Sequence, residues 1–172
     1  MCISVLGLIV KRVSPNTQLT IRDYEPEDRT AFRQLNELWI RRYFQIEAKD
    51  EQTFADPQSS ILDRGGRILM AVVGDEPIGC CALLPMGAGE FEIAKMSVAE
   101  SCRGTGVGRK LRAAIIEAAR TSGATRLYLE TNQKLTPAIR LYESLGFRHV
   151  PPERITPSPY ARADVYMELH LT

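Results

Sequence analysis

Residues 103–108, Arg-Gly-Thr-Gly-Val-Gly, place glycine at every second position of a turn that leads from an apolar run into an amphipathic stretch. Alternate positions without side chains let backbone N–H groups approach a ligand closely and point one way. A helix that starts there adds the positive end of its dipole, and Arg103 adds a full positive charge. The chemistry this suits is the binding of phosphate or pyrophosphate. Glycine-rich turns serve equally well as plain connections, so the glycines alone leave both readings open.

Spacing excludes two phosphate motifs. A nucleotide P-loop needs G-x-x-x-x-G-K-[ST], but Gly108 is followed by Arg109 and Lys110 by Leu111. The dinucleotide fingerprint G-x-G-x-x-G fails because the third glycine comes one residue early. A metal site is not expected either: Cys2, Cys80, Cys81 and Cys102 form no C-x-x-C pair, and His149 and His170 are the only imidazoles. Cys80 and Cys81, neighbours on one apparent strand, would point to opposite faces as small buried hydrophobes of a reducing compartment.

The elements that must position the turn follow from periodicity. Residues 19–24 alternate as a first strand would. From 27 to 44, Phe32, Leu35, Leu38, Trp39 and Tyr43 recur at helical spacing, which predicts a core-facing helix with Trp39 in the core. Residues 45–66, with Asp56-Pro57 in the middle and Gly65-Gly66 at the end, predict a short helix or two and a stop. The runs 67–73 and 78–84, separated by Gly74-Asp75-Glu76-Pro77, read as a hairpin, and a second break at 85–89 leads into the run before the turn. These three strands form an antiparallel meander.

After the turn, Val107, Leu111, Ala114, Ile115, Ala118 and Ala119 share one stripe of a helix that Gly123 closes. The run 126–131, reached through that helix, makes a right-handed parallel crossover. Thr136 as N-cap with Pro137 at the first helical position predicts a short helix to Leu145. Strands at 147–150 and 164–171 flank a proline-rich loop at 151–159.

The totals bound the rest. A chain of 172 residues with 44% apolar and 25% charged residues is one ordinary globular domain. A net charge of +1 without clustered arginines gives no basis for nucleic-acid binding. The apolar run 3–10 is too short to span a bilayer and lacks the flanks of a secretory signal. A cytoplasmic protein with no membrane partner is expected. It would have an N-terminal extension at 1–18, either an extra strand or a contact with another copy in a homodimer, ahead of a domain at 19–172.

The pattern R-x-x-G-x-G at the head of a helix, with Val98 ending the strand five residues before Arg103, resembles the phosphate-binding signature of the GNAT superfamily of acetyl-CoA-dependent N-acetyltransferases. Two downstream blocks, LETN at 129–132 and AIRLYESLGF at 138–147, fall in the family's order and spacing, and the resemblance covers about 19–171. It departs from the common pattern at Glu100, where proline is frequent, and at Cys102, often aromatic.

The resemblance implies an α/β (α+β) GNAT fold: a central mixed, mostly antiparallel sheet of about seven strands, splayed in the middle and flanked by about four helices. It implies acetyl-CoA as co-substrate and no metal. The pantetheine arm would pair along Met96, Ser97 and Val98. The pyrophosphate would sit on Arg103, Gly104, Thr105, Gly106, Val107 and Gly108, with Arg109 beside it. Asn132 would contact the cofactor near the splay or satisfy a loop. Tyr142 matches a tyrosine that protonates the departing thiolate, though its apolar neighbours allow simple packing. Glu92 matches a glutamate that some members use as base on the amine; otherwise it would orient substrate or face solvent, and Glu90 and Glu130 are rival carboxylates. Tyr43, Phe44, Tyr160 and Arg162, in segments that flank the site in this fold, would line the acceptor pocket or serve the structure alone. The implied activity is acetyl transfer to a primary amine of a small molecule or protein by direct attack in a ternary complex. The alternative is a non-catalytic acyl-CoA-binding or regulatory module.

Overall fold

In the computed structural model, which describes residues 18–171, strand β1 (Leu19–Asp23) precedes helices α1 (Arg29–Tyr43) and α2 (Ala48–Ala55) and the single turn α3 (Pro57–Ser60). Strands β2 (Arg67–Val73), β3 (Glu76–Gly87) and β4 (Glu90–Val98) follow, then helix α4 (Val107–Thr121), strand β5 (Arg126–Thr131) and helix α5 (Thr136–Ser144). Strands β6 (Arg148–His149) and β7 (Val165–His170) end the chain. Residues 1–17, nearly all of the expected N-terminal extension, lie outside the described residues.

The strands form one sheet in the order β1-β2-β3-β4-β5-β7-β6. Every pairing is antiparallel except β4 with β5. This is the mixed, seven-stranded arrangement the sequence implies, with α3 as a fifth, very short helix. Among the described residues no helix is long and apolar enough to cross a membrane.

Strands β2 and β3 read as continuous apolar runs because both of their faces are covered. Ile68, Met70, Cys80 and Ala82 join Phe32, Ile40 and Phe54 from α1 and α2 in one core. Leu69, Ala71, Cys81 and Leu83 join Leu111 and Ile115 from α4 in the other. Strand side chains alternate between faces, so the neighbours Cys80 and Cys81 fall into different cores, as expected. Burial drives the Cys80 thiol pKa up to about 12, and Cys81 higher still, which leaves both thiols inert.

Two local expectations need correction. Leu38 is 73% exposed and Tyr43 41% exposed, so α1 buries a narrower stripe, Phe32, Leu35, Asn36 and Ile40. Asn36 takes an inner position because its amide donates to the Phe32 carbonyl at 2.9 Å and meets the Cys80 sulfur at 3.3 Å. Helix α5 starts one residue earlier than its cap signal suggests: Leu135 is the N-cap, and Thr136 is already helical.

Candidate functional site

Strands β4 and β5 pair over only three positions, Glu90↔Arg126, Phe91↔Leu127 and Glu92↔Tyr128, and then part. From Ile93 onward the β5-facing edge of β4 is free. A bulge follows within the opened stretch. Two residues of β4, Lys95 and Met96, face the single Cys81 of β3 between the pairs Ala82↔Ala94 and Cys80↔Ser97. Lys95 takes a φ of 52°, a left-handed conformation that no other non-glycine among the described residues adopts. A bulge bends its strand and re-aims the side chains there. Here it turns the Lys95 side chain inward, where it is 8% exposed.

The wedge holds a cavity of about 290 Å³. Its walls include the β4 segment from Glu92 to Val98, Leu129 to Thr131 of β5 with Asn132 just beyond it, and Leu141 and Tyr142 from α5. Arg103 and Gly108 border it at one end, Tyr160 and Arg162 at the other.

At the first end the glycine turn has the open, left-handed backbone that its glycines allow. Gly104 and Gly106 have φ of 77° and 90°, a region costly for other residues, and a Cβ on either would face open space. Within the turn, Arg103 and Thr105 give their N–H groups to the Glu100 and Cys102 carbonyls. The first intrahelical bond of α4 comes only from Lys110 to Gly106, so the N–H groups of the preceding helical residues remain available to an anion. A second hollow is lined by Arg103, Gly104, Gly106, Gly108, Arg109 and Arg112, with Val98 and Cys102. Val107 is buried in the core, and the Thr105 hydroxyl braces the turn on the Cys102 carbonyl at 2.6 Å, so neither offers a side chain.

Arg112 lies off the apolar stripe of α4, yet it lines both hollows. Gly108, one turn earlier, leaves it room: a Cβ there would lie 3.4 Å from its Nη1. Burial lowers the pKa of its guanidinium, and the Tyr142 phenol acts the other way. The glycine one turn before an arginine was the signal available in the sequence.

In the middle of the wedge the Tyr142 hydroxyl reaches toward β4, 3.8 Å from the Met96 sulfur, while its ring packs edge-on against Phe147 at 5.4 Å. Burial raises its pKa well above that of a free phenol. Ser97 is 3% exposed and its hydroxyl donates to the Leu35 carbonyl at 2.7 Å, so only its backbone faces outward. Asn132 lines the cavity, but its amide is engaged in bracing loops: Nδ2 donates to the Arg162 carbonyl at 2.7 Å, and Oδ1 accepts from the Lys134 N–H at 2.9 Å.

Of the three candidate carboxylates, Glu90 forms an ion pair with Arg126 at 2.7 Å at the far end of β4. Glu92 and Glu130 both line the cavity. Burial, and then the nearby Glu130 charge, push the Glu92 pKa up to about 7. The Glu130 pKa is raised by burial too, against the opposing effect of a hydrogen bond from the Ser158 hydroxyl.

The second end is closed by a charge cluster that sequence reading missed. Asp50, fully buried on α2, accepts from Lys95 at 2.7 Å and from both terminal nitrogens of Arg162 at 2.6 and 2.8 Å. It also caps its own helix by accepting from the Glu47 N–H. Glu47 in turn holds Arg162 at 3.1 Å, and Lys95 donates to the Tyr160 hydroxyl at 2.8 Å. Both cations lie over the Tyr160 ring, at 4.6 and 4.4 Å. Burial works against the Asp50 charge, yet the Arg162 bonds and the Lys95 charge hold its pKa below the usual range. Exchanging Asp50→Asn keeps the shape and removes the charge, leaving two buried cations short of a counter-ion. It is expected to cost about 2 kcal/mol in urea unfolding.

Tyr160, Arg162 and Phe44 therefore reach the cavity as expected, and Trp39, expected in the core, lines it too. Tyr43 does not. It packs on the outer side of Trp39 at 5.6 Å between ring centres.

Comparison with known proteins agrees with this geometry. The model of the acetyltransferase (GNAT) family matches residues 31–147. An uncharacterized N-acetyltransferase of Escherichia coli (strain K12), YjgM, is 40% identical over 78 residues, which cover 44% of this chain and 47% of that protein. The chain thus spans about half the length of this curated relative. Among solved structures, a GNAT-family acetyltransferase from Staphylococcus aureus Mu50 superposes with a TM-score of 0.82 at 18% identity, covering 90% of this chain and all of that one. YncA of Salmonella typhimurium, a putative acetyltransferase solved with acetyl-CoA, superposes with a TM-score of 0.70 at 20% identity, covering 90% and 94% of the two chains. The splayed sheet, the glycine turn at its mouth and the family match over most of the chain lead to one assignment: this protein is a member of the GNAT acetyltransferase family.

Proposed function

We propose that the protein transfers the acetyl group of acetyl-CoA to a primary amine by direct attack in a ternary complex. The observation that carries this reading is the continuity of the cavity, which runs from Arg103 and Gly108 past Tyr142 and Glu92 to Tyr160. A thioester and an amine can meet in such a passage without a covalent enzyme intermediate.

The turn 103–108 suits the pyrophosphate, with Arg103, Arg109 and Arg112 supplying charge around it. The open edge of β4 at Met96, Ser97 and Val98 offers backbone groups to the amides of the pantetheine arm, in place of a missing strand. Asn132 then acts through the loop it braces. Glu92 accepts a proton from the amine, and the freed lone pair attacks the thioester carbon. Backbone donors near Val98 face the negative charge that develops on the carbonyl oxygen. As the C–S bond breaks, Tyr142 donates its phenolic proton to the sulfur and regains one afterwards. The free thiols of Cys80, Cys81 and Cys102 suit a reducing, cytoplasmic setting.

Thiol release from acetyl-CoA with a panel of primary amines tests the reading. Intersecting initial-rate lines are expected, as for a ternary complex. A protein that binds acetyl-CoA and consumes none with any amine would instead be a sensing module.

The raised Glu92 pKa makes a signed prediction. A base works only when ionised, so kcat/KM is expected to rise with pH through about 7 and to lose that limb in Glu92→Gln. Stability changes the opposite way. The folded pKa lies above the unfolded carboxylate value, so Glu92 favours folding at pH values below both and loses that contribution as pH rises through about 7. Glu92→Gln is therefore expected to raise Tm relative to wild type at pH 8 and to leave little difference at pH 4. A flat difference between the two pH values would refute the burial of this charge.

A further inference from the structure

The charged groups around the acceptor end of the cavity do not balance. Lys95 and Arg162 are its cations, and each is already bonded to Asp50, with Glu47 also holding Arg162. Among the described residues Glu92 and Glu130 form no ion pair, and Lys95 and Arg162 act on them only at longer range. The register places Glu92 opposite Tyr128 in the parallel pair, and Glu130 follows Tyr128 by two residues, so both carboxylates belong to one face of the sheet. Both line the cavity, beside Trp39, Phe44 and Tyr160. Glu130 accepts the Ser158 hydroxyl, the Tyr128 hydroxyl beside it also favours its charged form, and no hydrogen bond contributes to the state of Glu92.

A third group points to the same place. Tyr128 is 3% exposed, and its buried hydroxyl has no partner at hydrogen-bonding distance. It nevertheless lies close enough to feel the charge of Glu130 and then of Glu92. A buried hydroxyl that approaches Glu130 without closing to full hydrogen-bonding distance is costly. It becomes useful when a ligand draws Glu130 into its ionised form, which the phenol can then support as a donor.

We propose that Glu130 binds a second positive charge on the acceptor, so that the preferred acceptors are alkylamines carrying another ammonium group, diamines rather than amino acids. This rests on the transferase reading and names its acceptor class. Two like charges facing one poorly hydrated cavity repel each other, and a dication relieves that repulsion at both ends. An acceptor bearing a carboxylate meets the reverse situation, because the uncompensated charges are negative and both cations are already bonded. The aromatic walls suit an alkyl chain and an ammonium lying against a ring.

Three acceptors of one chain length decide the matter: 1,4-diaminobutane, n-butylamine and 4-aminobutanoate, each assayed for thiol release after acetyl-CoA binding has been measured by calorimetry. We expect kcat/KM for the diamine to exceed that for butylamine by about tenfold or more, with 4-aminobutanoate the poorest. In Glu130→Gln the diamine-to-butylamine ratio is expected to fall to within about threefold of unity. A ratio rather than a rate is read because the variant also removes the charge beside Glu92. In the wild type alone, equal use of the two amines or a preference for 4-aminobutanoate would overturn the proposal while leaving the transferase reading intact. An unaltered ratio in Glu130→Gln would remove Glu130 from it. Absence of acetyl-CoA binding would overturn the transferase reading, and the acceptor class with it.

Discussion

Replacing Gly106 with glutamate is expected to weaken coenzyme A binding by more than about a thousandfold, a loss of roughly 4 kcal/mol. Two separable effects are involved. Gly106 sits at φ 90°, so any side chain there strains the backbone by about 1–2 kcal/mol. Its Cβ would meet nothing within 4 Å, so the folded protein itself has room for the substitution. The larger effect comes from the ligand. A carboxylate on the N-cap of α4 occupies the space in front of the helix where the pyrophosphate would lie, and brings like charge to it. Gly106→Ala carries the strain without the charge. It is expected to bind coenzyme A far better than the glutamate variant while melting at a similar temperature. Calorimetry with coenzyme A and a melting curve for each variant separate the effects. Retained affinity in Gly106→Glu would remove the pyrophosphate from this turn.

The contrast between this turn and the opposite end of the cavity shows which parts of the molecule can be read from sequence. The turn is local. Its glycines, its arginine and the helix it starts lie within a few residues, and their backbone conformation follows from residue type. The meander of β2, β3 and β4 is legible for a similar reason, since two short breaks separate three β-rich runs. The other end is assembled from distant parts: Asp50 on α2, the bulged Lys95 on β4, and Tyr160 and Arg162 before β7. Each residue reads alone as a solvated surface charge or a loop aromatic. Only the partner makes burial of either charge tolerable. Leu38 departs from its expected burial for a related reason, while Trp39 packs on the core as expected and lines the cavity as well. Adjacent on one helix, they point in different directions, and spacing fixes a stripe but not its width. The wedge between β4 and β5 decides that Trp39 lines a cavity and Leu38 faces water.

The strands themselves show the same division. Alternation predicts which face Cys80 and Cys81 take, because period two is a property of the strand. It cannot predict where a pair of strands will part. Glu92↔Tyr128 is the last pairing of β4 with β5, and beyond it Ile93 and Leu129 are as apolar as any paired residues. Just past the separation lies the extra residue at Lys95, whose left-handed backbone no propensity favours for lysine. Its interactions with Asp50, Tyr160 and the Phe54 ring hold that conformation. A locally disfavoured backbone maintained by long-range interactions at the site of chemistry is where reading by pattern should fail.

Replacing Tyr142 with phenylalanine is expected to lower kcat by about 10²–10³-fold, in the range for loss of a positioned acid, with coenzyme A affinity changed by less than about threefold. The substitution is suited to the question because it keeps everything except the proton. The ring retains its edge-on packing against Phe147, and the hydroxyl gives up nothing but its weak approach to the Met96 sulfur at 3.8 Å. Folding should therefore be nearly unaffected, and a simple packing role would leave turnover unchanged. The acid role makes a further demand on pH. Burial holds the phenol protonated well beyond its ordinary range, while Glu92 ionises near pH 7. Acid and base are then both in their working forms over a broad window above neutrality. In Tyr142→Phe the limb near pH 7 should persist, since it belongs to Glu92, at a rate reduced across the whole window. A variant that kept the wild-type rate, or lost the Glu92 limb along with it, would show that the phenol does not supply the proton.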